Sequence, residues 1–160
     1  MTLDEMIQLA EDQARRTMIG TKEELAPMWL TLDVDGKVEI VATPWSGGHE
    51  KELTIELMRV SMRARQIVAY SLLTEAWMAR ASAEEVKTGG YIGKPPSERA
   101  DRVEAVVAMA ANKAGEHRYK NWQTIRDKKG RCKELRPLVG PEDQLMSIFD
   151  NLLDDHRRSN

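Results

Sequence analysis

At 160 residues, with 41% hydrophobic and 31% charged positions, the chain is long enough to bury one core and too short for two. That composition excludes a disordered chain at one extreme and a helical membrane protein at the other. Uncharged runs such as Ile67 to Thr74 fall far short of the roughly 18–20 apolar residues a spanning helix needs. The net charge is −2, and the single cysteine, Cys132, removes both an internal disulfide and a cysteine-rich zinc site as sources of stability.

Residues 1–20 set Asp4, Glu5, Glu11 and Asp12 among apolar positions, unlike the basic-then-apolar layout of a secretory signal. A cytoplasmic protein of bacterial or phage type is the expectation. Thr2 and Glu5 have capping-box spacing, and Leu3, Ile7, Ala10, Ala14 and Met18 follow at helical intervals, so a first helix is predicted to end near Arg16. Gly20 breaks it, Thr21 and Glu24 offer a cap for one further turn, and Pro27 opens an extended run.

Met28, Leu30, Leu32 and Val34 alternate with polar residues. After Asp35-Gly36 the alternation resumes at Val38, Ile40 and Ala42, which predicts a hairpin. Pro44 and Ser46-Gly47-Gly48 close it. Glu50 and Glu52 then favour the start of a second helix running to about Gln66.

That helix carries two apolar groups at 100° steps. Leu53, Leu57, Val60, Ala64 and Ile67 form one stripe, and Ile55, Met58 and Met62 fall almost opposite. A helix lying on a sheet needs one stripe only. Ile55, Met58 and Met62 are therefore either covered by another helix of the chain or form a partner interface, a role that adaptable methionine suits.

Val68–Ala79 is predicted as a third strand. Residues 81–100, with Gly89, Gly90, Gly93, Pro95 and Pro96, read as a long loop. Val103–Ala111, His117–Arg126 and a short Arg131–Leu135 then form a meander with turns at Ala114-Gly115 and Asp127–Gly130. Pro141 at a first helical position, acids in the next turn and His156, Arg157 and Arg158 at the far end predict a closing helix at about 141–157.

The expected fold class is a single α+β domain over 1–160, a two-layer unit with an antiparallel sheet of about five strands. Its helices pack on that sheet in the order α-β-β-α-β-β-β-α. This order resembles that of profilin-like domains of the roadblock and longin type, a likeness of topology only. Roadblock-type domains pair through the long central helix and the strand after it, which is where Ile55, Met58 and Met62 lie, so the resemblance implies a homodimer.

No catalytic motif is complete. Gly89–Lys94 is one residue short of a phosphate-binding loop and has Pro95 where serine or threonine is needed, and Asp33-x-Asp35-Gly36 lacks the later ligands of a calcium loop. His49, His117 and His156 share no metal spacing. No cofactor and no metal is expected. Glu75 amid an apolar strand and Cys132 between Arg131 and Lys133 are, with His49 and His117, the residues an enzyme would have to use.

The strongest electrostatic signal lies between Lys113 and Arg136. There nine basic residues face three acids, a balance of +6 that leaves −8 for the remainder. Arg118, Lys120, Arg126, Lys128, Lys129 and Arg131, interleaved with Trp122, suit phosphate contact and base stacking. The same cations also suit an edge strand that refuses neighbours, or a face that meets an acidic surface. Two functional expectations follow: a non-catalytic, homodimeric interaction or regulatory module, and a nucleic-acid-binding accessory protein. An enzyme with an unmotifed site is the third.

Overall fold

Thr2 and Glu5 begin the first helix by satisfying each other's backbone donors. The Thr2 N–H donates to Glu5 Oε2 at 2.6 Å and the Glu5 N–H to Thr2 Oγ1 at 3.1 Å. In the computed structural model, which describes residues 1–79, 84, 87, 98, 100–138 and 152–153, this helix α1 spans Leu3–Met18. It passes the expected end at Arg16. Thr21 does not open another turn: its hydroxyl donates to the carbonyls of Thr17 and Met18 at 3.0 Å each, closing α1.

Strands β1 (Met28–Asp33) and β2 (Val38–Ala42) form the expected hairpin, and helix α2 (Gly48–Ala64) follows. Gln66, at φ 54°, takes the left-handed residue that ends a helix and feeds β3 (Ile67–Met78). β4 (Val103–Asn112), β5 (His117–Arg126) and β6 (Cys132–Leu138) complete an antiparallel sheet of six strands in the order β2-β1-β3-β4-β5-β6. The fold is thus α+β, and the element order agrees with expectation through β5. The short final segment is in fact a full edge strand, which raises the count above five. The predicted loop 81–100 lies almost wholly outside the described residues. So does the predicted helix 141–157, of which Leu152 and Leu153 alone are described.

Three hairpins share one turn. Asp33, Asn112 and Asp127 each stand three residues before a glycine with φ near +80°: Gly36 at 82°, Gly115 at 81° and Gly130 at 83°. Each glycine N–H donates to the carbonyl of that first residue at 3.1 Å. The side-chain oxygen of the first residue accepts from a backbone N–H four positions on: Lys37 at 2.8 Å, Glu116 at 3.1 Å and Arg131 at 3.0 Å. A side chain that ties down its own turn, followed by a left-handed glycine, fixes hairpin register locally.

The two helices lie on opposite faces of the sheet, so the domain has three layers and not two. Consecutive strand residues point to opposite faces, and Trp29 packs with α2 while Leu30 packs with α1. The α1 side gathers Met6, Ala10, Ala14 and Met18 over Leu73, Val106, Ala108, Trp122 and Leu135. The α2 side gathers Ile55, Met58 and Met62 over Trp29, Ile67, Tyr70, Leu72 and Met109, with Leu152 beside them. The Leu152 N–H donates to the Tyr70 hydroxyl at 3.4 Å.

Candidate functional site

The structure reverses the expected roles of the two α2 stripes. Ile55, Met58 and Met62 are 4%, 6% and 0% exposed and pack on the chain's own sheet, so they are core residues and not a partner interface. The physical reason is shape. Flexible thioethers fill the irregular space around the Trp29 and Tyr70 rings, whose centroids are 6.1 Å apart. The strand after α2 is also unavailable to a partner, because β3 is bonded on both edges, to β1 and β4.

The stripe read as core is the one in water. Leu53, Leu57 and Val60 are 53%, 70% and 60% exposed, and Ala64 is exposed beside them. Their steps of four, three and four residues are those of a two-helix seam. The sequence pattern named these residues but assigned them inward.

Four of the six cations singled out in the basic hairpin are paired inside the chain. Arg118 and Lys120 stand on the sheet face that α1 covers. There Lys120 Nζ meets Glu11 at 2.6 Å and Arg118 Nε meets Asp4 at 3.4 Å. Arg126 donates through Nε to Glu104 at 2.8 Å and through Nη1 to the Gly130 carbonyl at 2.9 Å. Arg131 pairs with Asp127 at 3.0 Å. Trp122 is wholly buried beneath α1 with Lys120 Nζ 5.2 Å from its ring centre, so it cannot stack on a base. Lys128 and Lys129 project at the turn, both exposed.

Glu11, buried under these contacts, shows what the pairing achieves. Burial disfavours its charge, but the hydrogen bonds from Lys120 and Arg15 outweigh that cost and hold its pKa below the ordinary glutamate value.

Where α1 ends, the same sheet face opens into a cleft of about 490 Å³. It is lined by Lys22, Glu24, Glu75, Trp77, Glu104, Arg126 and Lys129 among others. Glu75 Oε2 accepts from the Leu25 N–H at 3.0 Å, tying the α1–β1 connection to the sheet. Its Oε1 is buried with no hydrogen-bond partner among the described residues, and burial raises the carboxyl's pKa, with Glu104 adding to the rise and the Leu25 bond and Arg126 opposing it. The free oxygen is turned away from solvent, which fits a structural strut better than a proton-transfer group.

The remaining chemical candidates do not converge. Cys132 is 1% exposed, and burial pushes its thiol pKa up, away from a reactive thiolate. It pairs across the sheet with Arg126 at one end of β5, whereas His117 begins that ten-residue strand at the other, about 30 Å away. His49 lies in the exposed first turn of α2. Among the described residues no group of histidine, cysteine, aspartate and glutamate is placed to hold a metal ion, and no helix is long and apolar enough to cross a membrane.

Comparison with family models, with curated proteins and with solved structures gives no match. The case for function therefore stands on the geometry of this chain.

Proposed function

We propose that the protein is a non-catalytic interaction module of the bacterial or phage cytoplasm that works as a homodimer, with the outward face of α2 as the contact. The observation that carries this reading is the exposure of Leu53, Leu57 and Val60 in one row on a helix whose opposite side already fills the core. A second copy suits the row by symmetry. In an antiparallel pair, Leu57 of one copy meets Val60 of the other and Leu53 meets Ala64. Glu56, which pairs with Arg59 in its own helix, and Arg63 lie seven residues apart and so flank the seam on the same side, where opposite charges face across the two-fold.

Light scattering on the wild type and on Leu57→Glu tests the reading. At low micromolar concentration the expected result is a pair for the wild type and a monomer with unchanged circular dichroism for the variant. A wild type that runs as a monomer throughout the micromolar range, or a variant of unchanged mass, overturns it. Nucleic-acid binding is supported by Lys128 and Lys129 and by the net charge of the hairpin. Its test is an anisotropy titration at low salt, where loss of binding on raising the salt concentration is the expected signature.

A further inference from the structure

The sheet ends on two edges of opposite character. β6 carries Lys133, Glu134, Arg136 and Pro137, the charges and the proline by which an edge strand refuses a neighbour. β2 reads Val38-Glu39-Ile40-Val41-Ala42. Its single charge, Glu39, is held by Lys37 at 2.7 Å and by Arg65 just past α2.

Two hydrogen bonds set the phase of the β1–β2 ladder: the Asp33 N–H to the Lys37 carbonyl at 3.0 Å, and the Thr43 N–H to the Pro27 carbonyl at 2.9 Å. Bonded pairs alternate along antiparallel strands, so Glu39 and Val41 also turn their backbone groups toward β1. Val38, Ile40 and Ala42 turn theirs outward. Ile40 is 57% exposed and Val38 37%, on a part of the sheet face outside the strands that α1 packs against.

We infer that β2 is a self-pairing edge, to which a second copy adds its own β2 antiparallel about a two-fold axis at Ile40. In that register Ile40 faces Ile40 of the other copy and Val38 faces Ala42. Each facing pair exchanges two N–H···O bonds, because the groups involved all point outward. Glu39 faces Val41, so no like charges oppose one another. A foreign strand would need a matching apolar alternation, which a second copy supplies by symmetry. A five-residue edge is a small contact, below the roughly 1,000 Å² of a stable interface. It therefore acts as a second surface on copies already paired through α2, and to that extent it rests on the reading above; the combination carries assembly beyond a dimer.

Cross-linking tests the edge directly. Facing residues of a bonded pair have Cα atoms about 5.5 Å apart, within reach of a disulfide. The native Cys132 is buried and stays silent. Under mild oxidation Ile40→Cys is expected to form a disulfide-linked pair about an order of magnitude faster than Lys37→Cys, whose two copies would lie about 20 Å apart. Ile40→Pro removes one outward N–H and leaves the ladder to β1 intact, and Ile40→Lys serves if the proline variant loses its circular dichroism.

In sedimentation velocity, the wild type is expected to grow past the dimer with concentration and the folded Ile40 variant to stop there. Equal cross-linking rates at positions 37 and 40, or an Ile40 variant that keeps the wild-type concentration dependence, overturn the inference. A Leu57→Glu variant of unchanged mass, beside Ile40 variants that respond, would instead sink the α2 contact alone.

Discussion

The orientation of α2 can be tested with two truncations on its opposite sides. Met62 is fully buried against Trp29, Ile67 and Tyr70, and Met62→Ala removes atoms from a close-packed site. The expected loss is about 2–5 kcal/mol. Leu57 is 70% exposed, so Leu57→Ala at a concentration where the chain is monomeric should change stability by no more than about 0.5 kcal/mol. Urea unfolding followed by tryptophan fluorescence reads both, since Trp29 lies inside the cluster. With a slope of about 2 kcal/mol/M, Met62→Ala should lower the midpoint by about 1–2.5 M and Leu57→Ala by at most about 0.3 M. If pairing occurs, the Leu57→Ala loss grows with protein concentration, because only then does the folded state gain from association. A Leu57→Ala loss equal to that of Met62→Ala at every concentration would show that the helix buries the other stripe, and the proposed contact would fail with it.

Three further expectations concern buried chemistry. Glu11 has a folded-state pKa below its unfolded value, so its contribution is complete at neutral pH and drains away as pH falls through the folded value. Glu11→Gln should therefore cost about 1–2 kcal/mol at neutral pH and nothing in acid, where the two denaturation curves converge. Glu75 has the opposite sign. Its raised pKa means that the folded state holds the proton more tightly, so stability falls as pH rises through that value. Glu75→Gln should equal or exceed the wild type at neutral pH and match it in acid, and a large loss at neutral pH would show that the carboxylate has a cation partner in solution. Cys132 should resist thiol reagents in the native protein and react at full rate in denaturant; fast native labelling would contradict its burial.

Much of the sheet was legible because its signals are local. Asp35-Gly36, Ala114-Gly115 and Asp127–Gly130 are turns whose chemistry is written in adjacent residues, and period-two runs on either side leave little freedom of register. β6 was underestimated because Lys133, Glu134, Arg136 and Pro137 dilute its apolar pattern, as suits an edge. The layer count was misread although its signal was present. Ala69–Leu73 and Val106–Ala111 are near-continuous apolar runs, which mark strands buried on both faces. A sheet covered on both sides needs a helix on each, and that leaves the outer side of α2 facing away from the core. The wheel of α2 alone could not choose between its stripes, since both are apolar and the outward one holds the more aliphatic residues. What decided it were the aromatic rings of Trp29, on a strand before the helix, and Tyr70, on the strand just after it, whose contours methionine fits.

The charge pattern shows how far a count can go before geometry is needed. A +6 segment beside a −8 remainder states that opposite charges exist, but their use depends on which face the strand presents. Arg118 and Lys120 are two residues apart on β5 and thus share the α1 side. Asp4 and Glu11, seven apart, share one side of α1, two turns of helix against one repeat of strand. Of the cations that looked like a platform for an outside polyanion, Arg118 and Lys120 are spent on the chain's own helix, Arg126 on Glu104 and Arg131 on Asp127, while Lys128 and Lys129 stay exposed. Trp122, which looked like a stacking surface, is the floor on which that helix rests. The described residues also expose an apolar helix row, Leu53, Leu57 and Val60, and an apolar strand edge at Val38 and Ile40. Exposed apolar residues of this kind suit a second protein surface, whereas a nucleic acid would have to rely on exposed lysines such as Lys128 and Lys129, because contact through Arg118, Lys120, Arg126 or Arg131 would displace ion pairs already made.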